Sequence, residues 1–202
     1  MFVQIIEGPV SDADELRAAV DRWNEELAPG ATGWLGSTSG VTDDGRAIAV
    51  VRFNSEEEAR RNSDRPEQDQ WWAQTSKIFT AEPTFRESTD VDVDTVGNPD
   101  EAGFVQIIKG RSSDPAKFRE LMNQNPDVWR AYRPDILGTV GIGHEDGAYT
   151  AVMYFISEAA AREGEIKAAP PELKEDMETM AALEIGEPTF LDLRSPWMRS
   201  PR

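Results

Sequence analysis

The chain opens on a β-branched run, residues 2–7, that predicts a strand with no polar face. Ser11-x-x-Asp14 then offers a capping box for a helix whose apolar stripe is Leu16, Ala19, Val20, Trp23 and Leu27, and Pro29-Gly30 ends it. Residues 33–41 and 46–53 read as a hairpin turning on Asp43-Asp44-Gly45. Its second strand, Ala47 to Val51, is apolar without alternation, so both its faces must be buried. Ser55-x-x-Glu58 caps a second helix, broken near Pro66 and resumed through Trp72 and Phe79, and residues 83–88 give a closing strand. The predicted order is βαββαβ.

The same pattern then recurs. Phe2-Val3-Gln4-Ile5-Ile6-Glu7-Gly8 returns as Phe104-Val105-Gln106-Ile107-Ile108-Lys109-Gly110, an offset of 102 with Glu7 and Lys109 as the single difference. Phe53-x-Ser55-Glu56-x-x-Ala59-Arg60 returns as Phe155-x-Ser157-Glu158-x-x-Ala161-Arg162 at the same offset, and Glu82-Pro83-Thr84-Phe85 as Glu187-Pro188-Thr189-Phe190 at offset 105. Three matches in one order define a tandem repeat. In the second half, strands are expected over 104–109, 138–143, 148–156 and 188–193, with helices from Asp114-Pro115 to about Asn125, around Trp129, and from Ser157 with a break at Pro170-Pro171. The predicted division is 1–89, a first ferredoxin-like repeat; 90–102, an Asp-rich linker with Gly97 and Pro99; 103–194, a second repeat; and 195–202, a tail.

βαββαβ is the ferredoxin-like arrangement of the α+β class, in which helices cover one face of an antiparallel sheet and leave the other bare. Val3, Ile5, Val50, Ile107 and Val152 leave no polar face for water. The expectation is that the two sheets pack on one another as an intramolecular dimeric α/β barrel. At roughly 25 cal/mol per Å², several hundred Å² of bare apolar sheet would cost on the order of 10 kcal/mol, as much as a domain's whole stability.

Composition narrows the function. The 202 residues carry 21 Lys and Arg against 38 Asp and Glu, a net charge of −17 that repels phosphate backbones and anionic lipid. Nucleic acid and membrane are therefore not expected partners. With no Cys there is neither disulfide nor thiolate chemistry, which suits a reducing compartment. No apolar run approaches the roughly 18 residues of a spanning helix, and a strand stands where a basic secretory segment would begin, so a cytoplasmic location is expected. The lone His144 sits in a Gly-Glu-Asp-Gly hairpin tip expected to be exposed, which leaves multi-His metal sites and Ser-His-Asp schemes without material. An RNA-recognition domain would need aromatics on a basic sheet, and a metal-transport version a Cys pair.

The two FVQII strands, the Phe-x-Ser-Glu-x-x-Ala-Arg entry to the second helix, the Asn62-to-Gln68 break with Trp71-Trp72, and the closing Glu-Pro-Thr-Phe resemble the dimeric α/β-barrel superfamily, in its antibiotic-biosynthesis-monooxygenase-like branch. The resemblance spans both halves. It implies a pocket between sheet and helices in each half, and enzymes of this branch orient substrate with an Asn and a Trp in this part of the fold. By that resemblance Asn62 and Trp71 are the candidate catalytic residues, with Trp72 as a further contact. Haem-degrading relatives use a helix His that neither second helix has, so no haem, metal or other cofactor is expected.

The repeat supplies an internal control: positions shared by both halves serve the scaffold, and positions that differ in polarity are where one half can keep a site. Trp72 falls on Met177 in an apolar stripe with Leu173 and Met180, which favours core packing. Trp71 falls on Asp176, which favours a surface or pocket-rim position, and Asn62 falls on Gly164, with helix termination as the alternative role. Gln4 and Gln106 are amides inside apolar strands; unpartnered and buried, each would cost about 1–3 kcal/mol, so each bonds within the fold or to a ligand. Trp34, set against Thr139, is a pocket wall or core, and Arg65, Glu67 and Gln68 either line a pocket mouth or form a solvated turn.

Two functions fit. One is a cofactor-independent monooxygenase for a small aromatic or polyketide-like substrate, which needs an apolar, dry site with donors for an anion, although no general base is evident. The other is a non-catalytic module that binds a small apolar ligand or a protein, as a monomer or as a homodimer formed through an edge strand or Trp71. A first-half cavity of about 300 Å³ or more lined by Asn62 and Trp71 favours the first; side chains filling it favour the second.

Overall fold

The computed structural model describes residues 1–201. They form two compact units, Met1–Val91 together with the residues from Ser195 onward, and Asp92–Arg194.

In the first unit the elements are β1 (Phe2–Pro9), α1 (Ala13–Arg22), β2 (Trp34–Val41), β3 (Arg46–Phe53), α2 (Glu56–Ser63), α3 (Pro66–Thr75) and β4 (Thr84–Ser88). Asp12, rather than Ser11, caps α1 by accepting from the Glu15 amide, and Ser55 caps α2 by accepting from the Glu58 amide. α1 runs on into a π-helical turn, Trp23–Leu27, that keeps both of these side chains buried. Phe2, Trp23, Leu27, Trp34, Phe53 and Ala59 form one core cluster between sheet and helices.

The second unit repeats the plan: β6 (Phe104–Arg111), α4 (Pro115–Asn123), α5 (Pro126–Tyr132), β7 (Ile136–Gly143), β8 (Ala148–Phe155), α6 (Glu158–Glu165), α7 (Pro171–Leu183) and β9 (Thr189–Leu193). Strand register makes the repeat exact in space. Phe2 lies opposite Phe53 as Phe104 lies opposite Phe155, and Ile6 opposite Phe85 as Ile108 opposite Phe190. The offset grows from 102 to 105 because the link between the paired helices runs from Ser63 to Pro66 in one unit and from Glu165 to Pro171 in the other. Both units are thus ferredoxin-like and of the α+β class.

Two stretches read as linker and tail hold strands. β5 (Val91–Thr95) joins the second sheet, in the order β5-β7-β8-β6-β9, and β10 (Trp197–Arg199) joins the first, in the order β10-β2-β3-β1-β4. β5, with its Val-Asp-Val-Asp alternation, is an edge strand exposed along nearly all its length, and that exposure with its acids is what makes it look like a solvated linker. Trp197 is buried beside Leu16, Ala19, Ala47 and Ile78, so the C-terminal segment is part of a core.

Candidate functional site

Between the helices and the sheet of the first unit lies a cavity of about 50 Å³, walled by Leu16 of α1, Ala47 of β3, Trp71, Trp72 and Thr75 of α3, Phe79, and Trp197 of β10. None of its lining residues is charged. Trp71 and Trp72, neighbours in sequence, share this wall: both are half-buried, with ring centroids 6.1 Å apart. Trp71 turns toward the core, 6.5 Å from Trp23, and its Nε1 donates to the Ala19 carbonyl at 2.9 Å. Trp72 turns outward, edge-on at 5.4 Å to Phe85, which is 48% exposed. Asp176, the counterpart of Trp71, is itself half-buried with one carboxylate oxygen shut from solvent, so it does not mark an outward-facing position.

Asn62 is buried but is not on the cavity wall. Its Oδ1 accepts from Arg65 Nη1 at 2.9 Å, and its Nδ2 donates to Gln68 Oε1 at 3.5 Å. That same Oε1 accepts from Trp23 Nε1 at 2.6 Å, while Arg65 Nη1 also donates to the Leu27 carbonyl at 3.1 Å and Arg65 pairs with Glu67. Arg65, Gln68 and Asn62 therefore form one internal network that ties the end of the π-helical turn to the α2–α3 junction. Its polar groups satisfy one another, as buried groups must.

Trp34 is core: 5% exposed, edge-on to Trp23 at 5.1 Å, with Nε1 donating to Ser37 Oγ at 3.0 Å. Its counterpart is Ile136 rather than Thr139, since Trp34 pairs with Phe53 and Ile136 with Phe155. Both strands carry an irregularity just after these residues, which keeps the offset at 102.

Gln4 donates to Glu87, its cross-strand neighbour, at 2.9 Å, and Glu87 also holds Arg60 of α2. Gln106 donates to Asp192, again the cross-strand neighbour, at 3.0 Å, and Asp192 holds Arg162 of α6. The repeated glutamine, acid and arginine thus clamp α2 and α6 each to its own sheet, and Arg162 also lies 5.2 Å over the Phe104 ring. His144, expected to be exposed at a hairpin tip, is half-buried with Nε2 3.0 Å from the hydroxyl of buried Thr150. Among the described residues no cluster of His, Asp and Glu is arranged to hold a metal ion, and no helix is long and apolar enough to cross a membrane.

The second unit places larger side chains at two of the equivalent positions. Gly8 pairs with Ala47 in the first sheet, and Gly110 with Tyr149 in the second. The Tyr149 ring stacks on Phe118, the counterpart of Leu16, at 5.4 Å, and its hydroxyl donates to the Glu184 carboxylate at about 3.0 Å. Burial first, then the Glu184 charge and hydrogen bond, push the Tyr149 hydroxyl above its ordinary pKa. Where Tyr149 stands here, the first unit has only a methyl group.

No family model and no curated protein matches the chain. Solved structures do. A candidate monooxygenase from Lactobacillus acidophilus NCFM superposes with a TM-score of 0.78 at 15% identity, covering 98% of this chain and 95% of its own. Another, from Fusobacterium nucleatum subsp. nucleatum, gives 0.74 at 10% identity, covering 98% and 94%. An anthrone oxidase-like protein gives 0.67 at 13% identity, covering 98% and 92%. The chain shares the ferredoxin-like fold of these proteins. At such identities the likeness speaks for the fold, and function has to be argued from the site.

Thr75, Phe79 and Trp197 also wall the cavity, and none of them belongs to a chemical motif along the chain. A Trp in an otherwise polar C-terminal stretch is a signal for Trp197. For Thr75 the signal is its counterpart at offset 105, Met180, a change of polarity at a buried helix position.

Proposed function

We propose that the chain binds a small, neutral, flat aromatic molecule between the sheet and the helices of its first unit. The observation that carries this reading is the indole-walled cavity without a charged lining residue, at a place where the second unit has Phe118 and Tyr149 in stacking contact in place of Leu16 and Ala47. Indole faces and edges suit aromatic rings, and an uncharged wall disfavours an ionised guest. At about 50 Å³ the cavity is smaller than the roughly 150 Å³ that takes benzene, so binding has to move a wall. Trp72, lying against exposed Phe85, is the wall with room to move.

Cofactor-independent oxygenation of an aromatic or polyketide-like substrate is the second reading, favoured by a dry aromatic pocket in a fold shared with monooxygenase-like and anthrone oxidase-like proteins. Two features weigh against a catalytic Asn62 and Trp71: the amide and the indole N–H are already bonded within the fold. The cavity also falls well below the 300 Å³ set for a ready-made substrate pocket, which supports binding ahead of catalysis. The absence of Cys and the net charge of −17 support a cytoplasmic protein that avoids nucleic acid and membranes.

A thermal-shift screen of aromatic and phenolic compounds tests this. The Tm rises with ligand in the natural protein and in Asn62→Ala, and the rise is lost in Ala47→Leu, which fills the cavity. Ligand-dependent oxygen uptake would establish the catalytic reading. No shift with any aromatic compound would leave the interaction module.

A further inference from the structure

We infer that the seat of Trp197 is a site for a neutral, fused bicyclic arene of indole size, occupied by the chain's own side chain until β10 withdraws. The inference rests on the reading of the cavity as an aromatic-ligand site; it adds the size class of the guest and makes Trp197 a second wall that gives way. The Trp197 ring packs against Leu16, Ala19, Ala47 and Ile78, and it is also one wall of the hollow. Seat and hollow are therefore one continuous apolar volume once the indole leaves. An indole already fits the seat, whereas the hollow alone is too small for benzene.

The second unit has aromatic groups at the matching positions and carries them differently. Where the first unit has Leu16 and Ala47, it has Phe118 on α4 and Tyr149 on the central strand β8, stacked on each other. In the first unit both positions are aliphatic, and the ring that packs on them arrives from β10. β5 holds the corresponding edge of the other sheet, beside β7 as β10 lies beside β2, yet it is exposed along nearly all its length. The first unit's ring can therefore depart without unmaking the middle of a sheet, and the second unit's cannot.

β10 is lightly held. It is three residues long against eight for β1, and it pairs on one side only. Ser39 Oγ reaches the Trp197 carbonyl at a long 3.4 Å, and Arg199 forms an ion pair with Asp21 in which both side chains keep contact with solvent. A guest that binds only while β10 is away shows an affinity reduced by the fraction of time it is away, so loosening β10 raises that affinity. The hollow has no charged lining residue, and the Trp71 N–H is taken by the Ala19 carbonyl, so a neutral and largely apolar ring system suits it.

Isothermal calorimetry with indole and toluene on the full chain tests the inference. Arg199 does not line the cavity, so Arg199→Ala loosens β10 without altering the wall. Indole affinity then rises about threefold, and Arg199→Lys, which keeps the charge, returns it to the natural value. Indole also speeds trypsin cleavage after Arg199, because the occupied seat leaves β10 unpaired. Indole affinity unchanged in Arg199→Ala, cleavage that indole leaves unchanged or slows, or binding of toluene without indole in both proteins overturns the displacement of Trp197 while leaving the cavity as a site for single rings. Failure of indole and toluene alike to bind either protein overturns the cavity reading itself, and this inference with it.

Discussion

The two units start from one plan and fill the space beneath their helices differently. In the first, Leu16 and Ala47 leave a hollow that Trp71, Trp72 and Trp197 only partly close. In the second, Phe118 and Tyr149 stack across it, and Glu184, the counterpart of Phe79, takes the Tyr149 hydroxyl. The junction between the helix layers differs in the same spirit. Arg65 comes from the α2–α3 turn to bond Asn62 and the Leu27 carbonyl, whereas in the second unit Gly164 replaces Asn62 and makes room for Arg133, which arrives from the end of α5. Arg133 pairs with Asp135 at 2.7 Å and reaches the Ala161 carbonyl. A Cβ on Gly164 would sit 2.4 Å from Arg133 Nε, so each solution excludes the other's side chain. Duplication preserves the ladders and clamps; the spaces between layers are free to diverge.

The largest test of this contrast is Trp197→Ala. Removing a 95%-buried indole from the first unit's core costs about 4 kcal/mol in urea unfolding, whereas a loss under about 0.5 kcal/mol would mean that the C-terminal strand is a dispensable tail after all. Next is Tyr149→Ala, expected to cost about 3 kcal/mol and to give the second unit a hollow like that beside Ala47; calorimetry with toluene then shows two sites per chain in place of one. An unchanged stoichiometry would mean that more than the Phe118–Tyr149 stack closes the second cavity. Asn62→Gly imports the second unit's residue without its arginine, and is expected to cost about 2 kcal/mol through the stranded Arg65 and Gln68 groups. Its effect on aromatic binding stays within about twofold, and complete loss of binding by a folded variant would make Asn62 a ligand contact.

The smallest effect is a pH dependence confined to the second unit. The folded protein holds the Tyr149 proton more tightly than the unfolded chain does, so this contribution is complete below pH 10, the ordinary tyrosine value. It is lost as the pH climbs above 10 toward the raised folded-state value. Stability there declines by at most about 1.4 kcal/mol per pH unit, less for a half-exposed ring, and Tyr149→Phe removes that share of the slope. Identical slopes in the two proteins would show that Tyr149 ionises as freely folded as unfolded.

Most of the fold is legible along the chain, because the FVQII strands, the Ser-capped second helices and the Glu-Pro-Thr-Phe closures are local signals that appear twice. β5 and β10 escaped for opposite reasons. In Val91-Asp92-Val93-Asp94 the strand period is present but the acids speak for solvent, and three residues around Trp197 are too few to show any period. The site was partly legible: Trp71 and Trp72 do wall the cavity, while Asn62, Gln4 and Trp34 are bonded or packed within the fold. A buried amide looks alike in a sequence whether its partner is a ligand or a neighbouring side chain.

Local order, the duplication, and the residue types at each equivalent position follow from the amino-acid chain itself, since capping, β-branching and periodicity act over a few residues. Which of those positions face a common space is settled by the folded packing. Leu16, Ala47, Thr75 and Trp197 are separated by as much as most of the chain, and only the meeting of a sheet, two helices and a late edge strand makes them one wall. Cavities are residues of volume left over by that meeting, and volume is a property of the assembly of side chains rather than of any stretch of sequence.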